Sequence, residues 1–171
     1  LLMTDLETEL YTKICEFKLD DLTSPYPMSA KLAWEYHWNE IYTLRAMHEY
    51  KKFVFLAMVA EGMVAPSSTI DRVWHYHLLY TYSYWEEFCG KVLNKRLHHY
   101  PGDRGSSERY SYTLELYQSY FGSPPADIWD VPPIHSYHLD RHNRYLSIPH
   151  PLYWFKQVIF RASDIIGRNF D

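Results

Sequence analysis

The sequence predicts an all-α protein: a compact multi-helix domain over residues 1–130, followed by a partly ordered C-terminal extension over residues 131–171. Three observations predict it. Apolar residues recur at helical spacing along most of the chain. No run shows the period-two alternation of a half-buried strand. The breaks between periodic stretches are rich in Pro, Gly, Ser and Asn, which punctuate helices.

The elements follow in order. "LETELYTKICEF" sets Leu6, Leu10, Ile14 and Phe17 on one stripe, so the chain should open with an amphipathic helix. "LTSPYP" breaks it, because two prolines so close together do not suit a helix interior. Ser29 is read as the N-cap of a short helix from Ala30 to Trp38. Asn39 caps the next, Glu40 to about Ala60, whose "FVFLAMVA" half is apolar nearly all round and therefore central. Gly62 is read as its C′ residue. Ser68 or Thr69 caps a helix over "IDRVWHYHLLY", and Thr81 caps "YSYWEEFCGKVLNK". "HHYPGDRGSS" is a loop rich in turn formers. The helix "SERYSYTLELYQSYF" carries a stripe of Tyr110, Leu114, Tyr117 and Phe121, and "GSPPADIWDVPP" stops it. There is no internal repeat.

Composition narrows the function classes. Net charge is −4 and no basic run appears, so nucleic acid is not an expected partner. No stretch is apolar for about 18 residues, so no membrane span is expected. The opening "LLMTDLE" has neither a basic n-region nor an apolar core, which argues against a signal peptide. Leu1-Leu2 ahead of Met3 suggests that the numbering begins inside a longer chain. Two cysteines, Cys15 and Cys89, make no disulfide scaffold and fit a cytoplasmic setting. Aromatic residues reach 18%, with 17 Tyr, which predicts either a polar-lined core or a surface that meets a protein partner.

The chemistry concentrates in "TIDRVWHYHLLY" and "LHHYP". A helix turns about 100° per residue. On that wheel Ile70, Val73, Trp74, His77 and Leu78 share one arc, so Val73, Trp74 and His77 are read as structural core. His77 is then a neutral, buried histidine bonded to backbone or a tyrosine hydroxyl. Asp71 and His75, four apart, stack at the edge of that arc. His75 and His77 lie about 200° apart, too far round to grip one ion. An αα-hairpin turning near Thr81 would return His98 or His99 to Asp71 and His75. Three N/O ligands plus water is the open arrangement of zinc. The candidate metal ligands are therefore Asp71, His75, His98 and His99. The tail histidines His135, His138 and His142 would share an arc if helical, but fit a poorly ordered extension better than a second site. No nucleophile elbow, phosphate loop or HExxH motif is present, and no catalytic residue is assigned.

The block from "STIDRVWHYHLLY" through "LHHYP" to "YQSYFGSPPADIW" resembles the glycine-rich domain-containing protein-like family, over roughly Ser29 to Trp129. Its hallmark is D-x-V-W-H-x-H, matched here by Asp71, Val73, Trp74, His75 and His77, with His99 in the later turn. The resemblance implies no established activity, and this chain departs from it in having only 6 Gly.

Two principal readings follow. The first is a helical binding or scaffold module for a protein partner, and composition favours it. The second is a metal-binding domain or metal-dependent enzyme holding a divalent transition metal such as zinc, whose bound water the ion would activate. A metal-free acid–base enzyme built on His75 and Asp71 is weaker, because no nucleophile accompanies them.

Overall fold

The computed structural model describes residues 2–21, 23–99 and 107–130. Among these residues seven helices pack together and no strand occurs, so the fold is all-α. The extension 131–171, with His135, His138 and His142, lies outside the described residues.

Helix α1 (Asp5–Glu16) starts at Thr4, which forms a capping box with Glu7. Ile14 is fully buried and Leu10 and Phe17 are half-buried, but Leu6 is 79% exposed. The buried face thus begins one turn later than the apolar spacing implies. The helix ends under a lysine from elsewhere: Lys51 Nζ donates to the carbonyls of Cys15 (2.7 Å) and Phe17 (2.6 Å). Those carbonyls lack helical partners, and the ammonium satisfies them.

Helix α2 (Met28–Tyr36) starts earlier than Ser29 suggests, with Pro27 as the N-cap residue. The backbone N–H of Ser29 is bonded by the Asp20 carboxylate instead, at 2.8 Å. A side chain nine residues upstream supplies what Ser29 seemed placed to supply. The left-handed His37, φ 54°, ends the helix before Trp38.

Helix α3 (Glu40–Val59) is capped by Asn39, whose side chain accepts from the Tyr42 N–H. Phe53, Val54, Phe55 and Leu56 are all buried, as expected for the central helix. Helices α1 and α2 pack against it. It stops at Ala60 in an extended conformation, and Gly62 has no positive φ. A left-handed glycine is therefore not what ends it.

Helix α4 (Ser68–Leu79) is capped by Ser67, one residue before the expected Ser68 or Thr69. Ser67 Oγ accepts from Ile70 N–H and donates to the Ile128 carbonyl at 2.6 Å. Ser68 is held from outside, its N–H and Oγ both donating to Asp130 Oδ2.

The next helix, Ser83–Leu93, winds as a π-helix and carries no side-chain cap at its start, so Thr81 is not its cap. Its burial pattern fits the wider winding. Tyr84 and Leu93 are both buried. Nine residues apart, they would fall about 180° from each other on an α-helix. Closing i→i+5 bonds brings both onto the core side. The left-handed Asn94 ends the element.

Helix α5 (Ser107–Phe121) buries Tyr117 fully and Tyr110, Leu114 and Phe121 partly, as the stripe predicts. Gly122, φ 79°, turns the chain into the short α6 (Ala126–Trp129). A buried carboxylate ties these last helices to α3. Glu49 Oε2 accepts from the Tyr117 hydroxyl and from Trp129 Nε1, each at 2.8 Å. Lys52 Nζ pairs with Glu49 Oε1 at 2.7 Å. The charge is tolerated because both oxygens are bonded and a cation is adjacent.

Candidate metal centre

Helix α4 presents its two faces as its spacing requires. Ile70, Val73, Trp74 and His77 are buried, while Asp71 and His75 lie at the rim. His77 Nδ1 shares a hydrogen bond with the Tyr50 hydroxyl at 3.0 Å. Phe17, Tyr50, Tyr84 and Phe88 surround its ring. Its Nε2 is the one buried side-chain polar atom without a partner among the described residues. Burial, with the Lys51 ammonium nearby, holds its pKa down to about 3, so the ring is neutral. His77 is a core residue, as its helical position implies.

The rim is different. His75 Nδ1 approaches Asp71 Oδ2 at 3.5 Å, and His99 Nε2 bonds Asp71 Oδ1 at 2.7 Å. The imidazoles of His75 and His99 face each other, ring centres 4.4 Å apart. One ligand atom from each of Asp71, His75 and His99 lies within 4.8 Å of the others. The hairpin geometry therefore brings the later turn back onto α4. Burial outweighs the pull of Asp71 on His75 and, with His99 opposite, lowers its pKa below the ordinary histidine value. A neutral ring offers a lone pair to an ion.

Of the two histidines in the turn, only His99 joins this group. His98 packs its ring against Trp85, centres 5.5 Å apart, and belongs to a different neighbourhood. Adjacent residues in an extended turn point opposite ways, and sequence could not choose between them.

The three donors are of the type and spacing that could hold a divalent ion. Zinc sits about 2.0–2.2 Å from N and O ligands, which separates neighbouring ligand atoms by roughly 3.3 Å in a tetrahedron. The two close approaches use different oxygens of Asp71, Oδ2 to His75 at 3.5 Å and Oδ1 to His99 at 2.7 Å. With one atom taken from each residue the three lie within 4.8 Å of one another, so the side chains would close in by up to about 1.5 Å around an ion. The side chains of His75 and Asp71 are 49% and 36% exposed, so the fourth position would face solvent.

What holds His99 in place was not legible in the sequence. Trp74 Nε1 donates to the Tyr84 hydroxyl at 2.9 Å, and that hydroxyl donates to the Leu97 carbonyl. The Trp74 indole also meets the His99 ring edge to face, at 4.6 Å. Trp74 and Tyr84 are each ordinary buried aromatics in the sequence, and no spacing rule links them to residue 97.

The model of the UCP032817-like family matches residues 17–112, 96 of the 171 in the chain. The chain belongs to the UCP032817-like family. The matched region of this family member contains Asp71, His75, His98, His99, Tyr84 and the core residue His77. The family's description names no activity. No curated protein and no solved structure matches the chain. Among the described residues no helix is long and apolar enough to cross a membrane.

Proposed function

We propose that this family member is a helical metal-binding domain that holds a divalent transition ion, zinc by ligand type, through Asp71, His75 and His99. The observation that supports it is the convergence of these three side chains from α4 and a distant turn, with ligand atoms within 4.8 Å of one another. A single i,i+4 Asp–His pair on a surface helix is common and of small energetic value. A second imidazole brought onto the same carboxylate across 28 residues is not explained by helix-surface pairing. Three N/O ligands with an open position are the arrangement in which zinc lowers the pKa of a bound water. A metal-dependent hydrolytic role is thus within the chemistry of the site.

The test is elemental analysis of protein purified without a histidine tag. Roughly one equivalent of a transition metal per chain is expected, with melting lowered by chelation. Protein that carries no metal, takes none up on titration, and melts identically with and without chelator would sink the reading.

The scaffold reading keeps one supporting observation. Tyr26, Trp34 and Tyr82 are large aromatics left exposed, and such residues dominate interface hot spots. If they engage a cytoplasmic protein partner, Trp34→Ser with Tyr82→Ser should abolish its co-purification without changing melting; unchanged co-purification refutes this. The likeness to the glycine-rich domain-containing protein-like family, carried by Asp71, Val73, Trp74, His75 and His77, is proposed on the same footing.

A further inference from the structure

Two of the three ligands need no special support, because Asp71 and His75 stand one turn apart on α4. The third does not have that security. His99 ends the described part of the turn that follows the π-helix. Its ring meets the Asp71 carboxylate, the His75 ring and the Trp74 indole. Two residues before it, the Leu97 carbonyl is bonded by the Tyr84 hydroxyl, which itself accepts from Trp74 Nε1. Tyr84 is fully buried and rooted in the first turn of the π-helix. One hydroxyl thus joins α4, the π-helix and the turn that carries His99.

We propose that Tyr84 is the positioning residue of the metal centre: its hydroxyl, bridging Trp74 Nε1 and the Leu97 carbonyl, holds the turn so that His99 reaches the Asp71–His75 pair. This rests on the metal reading above and concerns how the site is built. Removing the hydroxyl leaves the phenyl ring in the core, where it packs against His77 and Trp85. It frees the Leu97 carbonyl, leaves Cys89 bonded to the Leu97 backbone, and so loosens the register of residues 97–99. Outer-shell partners that orient metal ligands change affinity by about 10–100-fold when lost.

The experiment compares zinc affinity, by chelator competition, and the cobalt(II) absorption spectrum in the unaltered chain, Tyr84→Phe and Tyr50→Phe. Tyr50→Phe is the control, because it deletes a buried hydroxyl that bonds His77 rather than the turn. The expected result is affinity lowered about 10–100-fold in Tyr84→Phe, with weakened cobalt bands, and unchanged in Tyr50→Phe. A purely structural Tyr84 would lower melting while leaving affinity and spectrum intact, and that result overturns the proposal. Equal affinity losses in both variants overturn it too, as a general effect of loosening the core. An unaltered chain that binds neither ion refutes the metal reading itself, a distinguishable failure. Should Tyr84→Phe not fold, Trp74→Phe probes the same relay, keeping an aromatic ring but removing the donor to Tyr84. It should lower affinity several-fold, and unchanged affinity there overturns the proposal.

Discussion

His77→Ala should destabilise the domain far more than His75→Ala, although the two residues sit two apart in one motif. The His77 ring is fully buried among four aromatic rings, so its removal opens a cavity in the core. Large-to-small aromatic truncations in cores cost about 3–5 kcal/mol. Two polar effects then oppose each other. The variant leaves the Tyr50 hydroxyl without its partner, a loss of about 1–3 kcal/mol, but it also removes the unpartnered Nε2. These roughly cancel, and the smaller size of imidazole than phenyl puts the net loss near 3 kcal/mol. His75 is half exposed and its contact with Asp71 is a surface pair, so its loss should cost at most about 1 kcal/mol. For a domain of this size, each kcal/mol lowers melting by roughly 3–4 °C. Thermal unfolding followed by circular dichroism, with chelator present so that metal contributes nothing, should show a drop near 10 °C for His77→Ala and about 4 °C or less for His75→Ala. Equal drops would refute the inward and outward assignment of the two rings.

Further expectations follow from the same geometry. His99→Ala should lower zinc affinity at least about tenfold while His98→Ala leaves it unchanged, measured by chelator competition; the reverse order would reassign the third ligand. Acid should destabilise the fold through His77. Its folded-state pKa is depressed to about 3, so as pH falls the unfolded chain takes up the proton first, near 6.5. Stability is therefore full above that value and falls towards about pH 3, by up to about 1.4 kcal/mol per pH unit. Denaturant titrations across that range should show a shallower fall in His77→Phe, and an identical slope would refute the point. Glu49→Gln should cost about 3 kcal/mol, because it removes the counter-charge of Lys52, whose ammonium keeps the Tyr117 hydroxyl as a partner, and should shift Trp129 fluorescence; a loss under about 0.5 kcal/mol would show that the carboxylate is dispensable. Ser67→Ala should cost about 1–2 kcal/mol by stripping the α4 cap, read from the denaturation midpoint.

Helix existence was written locally. Asn39 before "EIYTLRAMHEY" and the apolar run "FVFLAMVA" are enough to start α3 and make it central, since capping and one-sided burial need only neighbouring residues. The inward turn of Val73, Trp74 and His77, and the edge position of Asp71 and His75, follow from the helical repeat alone. Pairings across the chain were not written there. Ser29 and Thr81 have the chemistry of caps, but the Ser29 N–H donates to Asp20 and the π-helix begins beyond Thr81. Leu6 shared a stripe with Ile14 yet faces solvent, because periodicity names a face and packing decides how far along it burial runs.

The candidate site divides along the same line. Sequence alone stacked two of the candidate ligands, Asp71 and His75, because one turn of helix places them together whatever the rest of the chain does. Tertiary structure decided the third. His98 and His99 are neighbours of identical chemistry, and only the folded turn, held at Leu97 by Tyr84 and Cys89, directs His99 to Asp71 and His98 to Trp85. A hydrogen bond between residues 84 and 97 depends on how the turn folds back onto the start of the π-wound helix, and no local propensity carries that information.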